Sequence, residues 1–417
     1  MNKTIKRALS LVLTLLIAVN TIACSKPVVN GWLISGEYDR LSAETAENTD
    51  RFELAVTKMA FDMLRSTVAT DGKAQLVSSL SAIYCLGMVA NGATGQTLAE
   101  VENALGMELD DLNKEAYKYV TSMYSSNKCK IRLANSLWIN DDDRLTVNGD
   151  FLQTNADWYG ARIYKLLFDE STPDVINRWC KDNTDGMIDE LVDTLPEDAM
   201  MLLLNTLLFD AKWGQTYTEK QIVPGIFYNA DGSNSAVHYM SSKESIYLTM
   251  AGAKGMAKPY YGNKYYFVGL LPDEGSDVNT LLAGITAQSW QAMWQNRETT
   301  TVKVKIPEFE YETDTMDIIP ALESMGICSM FDVTADFDNT GEYAGAGLYV
   351  SDFFQKTSIR VNRNGTKASA ATGAIQVPTS APMPADQKSV YLDRPFVYAI
   401  VDSNGVPLFV GVQSNMN

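Results

Sequence analysis

A chain of 417 residues, 46% of them hydrophobic and 20% charged, has the composition of a globular protein, long enough for several domains or one large one. Its 51 acidic and 34 basic residues leave a formal net charge of −17, which disfavours nucleic acid and anionic membrane surfaces as partners, because phosphate binding needs clustered Lys and Arg. The single histidine confines any His-dependent mechanism to one position.

Lys3, Lys6 and Arg7 precede an apolar stretch from Ala8 to Val19 that is too short for an ordinary membrane-spanning helix and has the form of an export signal. It ends in Thr21-Ile22-Ala23-Cys24, which resembles a bacterial lipoprotein cleavage site. Residues 1–24 are therefore expected to be a signal peptide with Cys24 as the lipidated first residue of the mature chain. Plain secretion is the other reading, and both export the protein. The polar segment 25–50 reads as a tether between a membrane anchor and a folded body.

Helical periodicity is expected from Arg51 to Val68, from Leu80 to Ala93 with Gly92 as a stop, and from Thr97 to Gly106. Strand-like runs follow at Tyr265–Pro272, Thr300–Glu312, Pro395–Asp402 and Pro407–Gln413; the last two flank Ser403-Asn404-Gly405-Val406, whose Asn-Gly is a hairpin signal. Helices first and strands later, without regular alternation, predict an α+β fold. With no internal repeat and no Pro-rich boundary, residues 51–417 are expected to form one domain.

The chemistry-bearing motifs are sparse. His238 lies in "SAVHYM" with no nucleophile signature beside it, and reads as a structural or surface residue rather than part of a Ser-His-Asp hydrolase. Asp141-Asp142-Asp143 lacks the spacing of a calcium loop and reads as a solvated turn. The cysteines Cys85, Cys129, Cys180 and Cys328 fit neither a zinc site nor a CxxC redox motif. There is no P-loop or dinucleotide fingerprint, so no metal and no cofactor is expected; paired carboxylates remain open, since their pairing is spatial.

One segment stands out. From Gly365 to Ala374 the chain is built almost wholly of small residues, and it passes into Ile375-Gln376-Val377-Pro378-Thr379-Ser380. With the period of two that a strand imposes, Thr366, Ala368, Ala370, Thr372, Ala374 and Gln376 share one face that carries no charge, while the sole charge, Lys367, lies on the other. Composition alone allows a flexible linker; patterning allows a strand able to slide between two others and bury its small face.

Several stretches in order along residues 51–417 resemble the serpin family of protease inhibitors. "VSSLSAIYCLGMVANGATGQT" resembles the family's Ser-Pro-Leu-Ser helix and Gly-Ala-x-Gly-x-Thr segment through Ser78, Leu80 and Ser81. "VINRWCKDNTDGMI" resembles Asn-x-Trp-x(4)-Thr-x-Gly-Lys-Ile through Asn177, Trp179, Thr184, Gly186 and Ile188. "LLNTLLFDAKW" keeps Asn205, Phe209 and Trp213, "IPEFEYE" resembles the family's Pro-Lys-Phe strand, and "YLDRPFVYAI" fits the C-terminal signature at Asp393, Arg394, Pro395 and Phe396.

The resemblance implies a serpin fold: N-terminal helices, a large central mixed sheet and an exposed reactive-centre loop. It implies a hinge at Gly365, Thr366, Lys367, Ala368, Ser369, Ala370, Ala371 and Thr372, with Arg363, Asn364 and Lys367 standing where acidic residues are usual. It implies a sheet-opening region at Ser78, Ser81, Asn205, Trp213 and Gln355, the last replacing a common histidine. The family's usual loop length puts the reactive bond between Thr379 and Ser380, with Val377 and Pro378 read by the protease.

The function so implied is that of a monomeric suicide inhibitor, not an enzyme, which is cleaved as a substrate, forms a covalent complex with a serine protease and inserts its loop into the sheet. Thr366 is expected to pass from exposure to burial first. Small, uncharged residues around the reactive bond resemble substrates of elastase-like or subtilisin-like proteases. The alternative is a non-inhibitory serpin-fold binding protein or a simple protease substrate. No nucleic acid is expected, and the membrane only through the lipid anchor.

Overall fold

The computed structural model describes residues 32–33, 50–68, 75–344, 347–366 and 388–416. Cys24, nearly all of the tether, hinge residues Lys367 to Thr372, and Val377, Pro378, Thr379 and Ser380 lie outside them.

Helix α1 (Asp50–Val68) buries Phe52, Val56, Met59, Ala60, Met63 and Leu64 along one stripe, and carries Asp50 and Glu53 in its first turn and Arg65 in its last, as its macrodipole favours. It leads to the short strand β1 (Gln75–Val77) and to α2 (Ser79–Ala90), which is apolar around most of its circumference and buried accordingly. The Ser78 hydroxyl caps α2 by accepting from the Ser81 amide at 3.3 Å. Helix α2 ends at Ala90, before the Gly92 taken as its stop, because the Asn91 amide already closes the last turn on Gly87. Helices α3 (Gly95–Leu105) and α4 (Leu109–Ser122) follow.

The expected order of helices first and strands later does not hold. A long strand, β2 (Cys129–Asn140), comes directly after α4, then α5 (Gly149–Tyr159), β3 (Arg162–Leu166), α6 (Thr172–Asn183) and a second long strand, β4 (Met201–Lys212). Both long strands mix polar and apolar residues on their two faces, since one face meets the core and the other a covering helix, and this hides them from a simple period-of-two reading. The fold class is nevertheless α+β.

Strands β5 (Ile222–Tyr228), β6 (Asn234–Met250), β7 (Ala253–Pro259) and β8 (Tyr265–Pro272) form a meander. The run expected as one strand over Thr300–Glu312 is two, β9 (Glu298–Pro307) and β10 (Phe309–Glu312). They lie in different sheets, and Glu308 is the corner, its amide donating to the His238 carbonyl at 2.9 Å. The remaining strands are β11 (Ser358–Asn362), β12 (Gly365–Thr366), β13 (Lys388–Tyr391), β14 (Phe396–Asp402) and β15 (Pro407–Gln413).

One sheet contains, in order, β3, β2, β4, β12, β11 and β10; the other runs β13, β9, β6, β7, β8, β14, β15 and β1, with β5 alongside β6. Strands β14 and β15 are buried almost throughout, which matches their unbroken apolar sequences at the centre of a covered sheet. The main core lies between the two sheets and α1 and α2, with Phe209, Trp213, Tyr260, Phe267 and Tyr398 in it.

Candidate functional site

The site is a slot between β4 and β11. Its upper end is filled by the first two hinge residues: Gly365 pairs Lys212 and Asn362, and Thr366 pairs Ala211 and Val361, antiparallel on both sides. The chain reaches the slot from β11 through a tight turn at Arg363-Asn364, where the Asn364 amide donates to Asn362 Oδ1 at 2.9 Å. Gly365 has φ +155, and a Cβ there would lie 2.0 Å from the Ala211 carbonyl oxygen. Only glycine fits so close to the neighbouring strand.

Thr366, expected to be exposed at the start, is already buried at 2% exposure. The two sheets explain the difference: its hydroxyl lies 2.6 Å from the Tyr260 hydroxyl, and Tyr260 stacks flat on Trp213 at 4.6 Å, so the side chain completes an aromatic pocket between the layers. Burial pushes the Tyr260 hydroxyl pKa up. Trp213 fixes the turn from below, its ring Nε1 donating to the Asn362 carbonyl at 2.8 Å and its amide to the Asn364 carbonyl at 3.0 Å. Beside it Lys258, 2% exposed, pairs with Glu244 at 2.7 Å and lies over the rings of Tyr217 and Trp213. Burial lowers the Lys258 pKa and Glu244 opposes that.

Arg363 anchors the hinge to the corner between the sheets. Its amide and Nε both donate to Glu308 Oε1, at 3.0 and 3.2 Å, a second guanidinium nitrogen donates to Oε2 at 3.3 Å, and a third reaches Glu219 at 3.2 Å. The hydrogen bond to Glu308 raises the Arg363 pKa further. Neither residue was singled out as a site from sequence. A signal existed: Arg363 stands where the family pattern has an acid, and Glu308 where Pro-Lys-Phe has a base, so the two departures are opposite in sign and compensate each other.

Ser78, Ser81, Asn205 and Gln355 come together further down the slot. The Gln355 carboxamide accepts from the Ser78 amide at 2.8 Å and donates to the Ser78 carbonyl at 2.9 Å, so it meets the N-terminus of α2 in both senses. Ser81 Oγ donates to Asn205 Oδ1, Asn205 Nδ2 to Asn135 Oδ1 at 2.5 Å, and Asn135 Nδ2 to the Tyr159 carbonyl at 2.6 Å. Trp213, grouped with these four from sequence, is not among them; it sits under the hinge, because it follows the end of β4 whereas Asn205 lies near its middle.

Between these groups the sheet is open. Among the described residues β4 below Ala211 pairs only with β2, and β11 below Val361 only with β10. A cavity of about 40 Å³ occupies the gap, lined on its strands by Asn205, Thr206, Leu207 and residues 355–358, on α2 by Ser81 and Cys85, and covered by Thr184, Met187, Ile188 and Leu191. Thr206 Oγ1 is buried there with no hydrogen-bond partner among the described residues. Burial pushes the Cys85 thiol up to about 12, which makes it a poor nucleophile. His238 is exposed on β6 opposite Pro224, in the other sheet from the slot. Asp142 closes a turn onto Arg144, as a solvated turn should.

A strand that continued the register of Gly365 and Thr366 would meet Phe209, Leu207 and Asn205 with the residues that share the face of Thr366, on the core side. The geometry can therefore take in a further antiparallel strand whose inner face is small.

The family profile of serpins, described as serine protease inhibitors, matches residues 54–416. The native-state crystal structure of tengpin, a thermophilic serpin, superposes with a TM-score of 0.87 at 34% identity, covering 93% of this chain and 100% of that one. Iripin-8 of Ixodes ricinus is 26% identical over 87% of this chain and 93% of its own length. Serine proteinase inhibitor 1 of Variola virus is 26% identical over 81% of this chain and 90% of its own. With the motifs, the two-sheet architecture and the hinge slot in agreement, the chain belongs to the serpin family of serine protease inhibitors.

Proposed function

We propose that the protein inhibits serine proteases as a suicide substrate. The observation that carries this reading is the pairing of Gly365 and Thr366 between β4 and β11, above a gap across which, among the described residues, the two strands do not pair. The protease's serine hydroxyl adds to the Thr379 carbonyl; the peptide bond to Ser380 breaks, a proton passes to the leaving amine, and an ester joins protease to inhibitor. Freed of its C-terminal tether, the segment from Lys367 onward zips down the gap from the two residues already in register. Each step pairs backbone groups on both sides and buries a small side chain. Inhibition follows when insertion distorts the protease before water cleaves the ester.

Val377, Pro378 and Thr379 are small to medium and uncharged, so elastase-like and subtilisin-like enzymes with shallow apolar pockets are the proposed targets. Export and anchoring through Cys24 belong to the same proposal; Cys24→Ala should abolish lipid labelling and release the protein from the membrane fraction.

The test is to mix the purified protein with an elastase and with a subtilisin. The expected result is a denaturant-resistant adduct and a released peptide beginning at Ser380. Cleavage in the loop without adduct would favour the non-inhibitory reading instead.

A further inference from the structure

The gap beneath the hinge has a cover, and the cover is fastened. It consists of the segment after α6, whose Thr184, Met187, Ile188 and Leu191 close the cavity. This segment is tied to α6 itself: Asn177 Oδ1 accepts from the amides of Leu191 at 2.8 Å and Val192 at 2.9 Å, Asn177 Nδ2 donates to the Val192 carbonyl at 2.7 Å, and Lys181 pairs with Asp189 at 3.0 Å. Helix and cover therefore move as one piece. A different set of bonds ties that piece to the sheet. Lys130 and Arg132 are alternate residues of β2 and so share its outer face; both form ion pairs with Asp185. Arg132 also donates to the carbonyls of Asp182 and Asn183, both at 3.2 Å, groups left without helical partners at the C-terminus of α6.

A strand inserted in the register of Gly365 and Thr366 would set a residue opposite Thr206, on the outer side of the sheet and under the cover. A strand cannot fill this position while Met187 and Ile188 close it. We infer that Lys130, Arg132 and Asp185 form a latch that holds the α6 cover over the gap and sets the rate of loop insertion. The inference rests on the insertion mechanism proposed above. These are positioning residues: they touch neither the protease nor the reactive bond.

The test compares wild type with Asp185→Asn, Arg132→Gln and, as a control, Lys181→Gln, whose ion pair travels within the moving piece. Asp185 has φ 50, a conformation that asparagine adopts readily, so Asp185→Asn removes the charge without straining the backbone. Two quantities are read: amide hydrogen exchange over residues 184–192, and the rate at which the protein converts on mild heating to a form resistant to urea unfolding. A partly exposed ion pair limits the effect to about fivefold per variant. Asp185→Asn and Arg132→Gln are expected to raise both readouts by about that factor, and Lys181→Gln to leave the conversion rate unchanged. Should Arg132→Gln fail to fold, Arg132→Lys keeps the cation, gives up carbonyl bonds, and should fall between. Unchanged rates in both latch variants, or equal acceleration by the control, overturn the latch alone. A wild type that never acquires the resistant form, heated or cleaved, overturns the insertion mechanism and the latch with it.

Discussion

Replacing Thr366 by Arg loads the narrowest point of the slot. The threonine is 2% exposed, and its hydroxyl is 2.6 Å from that of Tyr260, which is itself fully buried against Trp213. A guanidinium at this place enters a buried aromatic cluster whose Trp213 ring already carries the Lys258 ammonium, and the carboxylate in that cluster, Glu244, is engaged by that lysine. Burying a poorly paired charge costs several kcal/mol and overpacking adds one to three, so the penalty is on the order of 4 kcal/mol even after relaxation. The backbone bonds of a two-residue strand return roughly 1 kcal/mol each, which does not outweigh it. If half the penalty is felt during insertion, about 2 kcal/mol, insertion slows about 30-fold. An inhibitor that traps nine protease molecules in ten would then trap about one in four. The assay is titration against a serine protease with adduct and cleaved inhibitor resolved on a denaturing gel. Thr366→Ser keeps the hydroxyl and should behave as wild type, while Thr366→Val orphans the Tyr260 hydroxyl and should fall between. An adduct yield for Thr366→Arg equal to wild type would refute the insertion mechanism.

Three further outcomes are expected. Glu308→Arg sets two cations face to face at the hinge corner and should cost about 1–2 kcal/mol, discounted because the Arg363 side chain is 35% exposed; the exchange Arg363→Glu with Glu308→Arg should recover at least half, and simple additivity of the two melting-point losses would contradict the pairing. Gln355→Ala removes both bonds to the Ser78 peptide and leaves a buried donor and acceptor at the start of α2, for a loss of about 2–3 kcal/mol by urea unfolding; a loss under 0.5 kcal/mol would show that the cluster is not structural. Burial pushes the Asp402 carboxyl up to about 6, despite bonds from the amides of Val406 and Asn404 and the Tyr119 hydroxyl. A carboxyl raised on folding contributes stability at pH below its unfolded value and loses it as pH rises through 6, on the order of 2 kcal/mol. Stability of wild type relative to Asp402→Asn should therefore fall between pH 4 and 7, and a flat difference would disprove the shift.

Asn is the natural test residue at position 402. Both backbone amides donate to Asp402 Oδ1, which asparagine retains, and its amide nitrogen can face the Tyr119 oxygen in place of Oδ2.

Much of the fold was legible in local patterns. Strands Tyr265–Pro272 and Pro407–Gln413 and helix α1 fall where periodicity set them, the helix starting one residue earlier, because each buries a face or a whole surface with an unmistakable period. Strands β2 and β4 were harder to see because a sheet covered on one side by helices takes apolar residues on both faces at irregular intervals. The division at Glu308 could not be read at all: the alternation runs through it unbroken, and only the arrangement of two sheets makes the chain cross from one to the other there.

The sequence by itself determined that Gly365 to Ala374 offers a small, uncharged face with strand period, and that the motifs around it belong to serpins. Side-chain size and charge are local properties, and they survive without a structure. The tertiary structure decided what that segment meets. It brought Arg363 to Glu308 across 55 residues and Thr366 to Tyr260 across 106, separated Trp213 from the Ser78–Gln355 cluster, and left Thr206 Oγ1 without a partner among the described residues in a gap covered by the segment after α6. Contacts at such separations depend on which strands become neighbours, a consequence of packing two sheets that no single segment encodes.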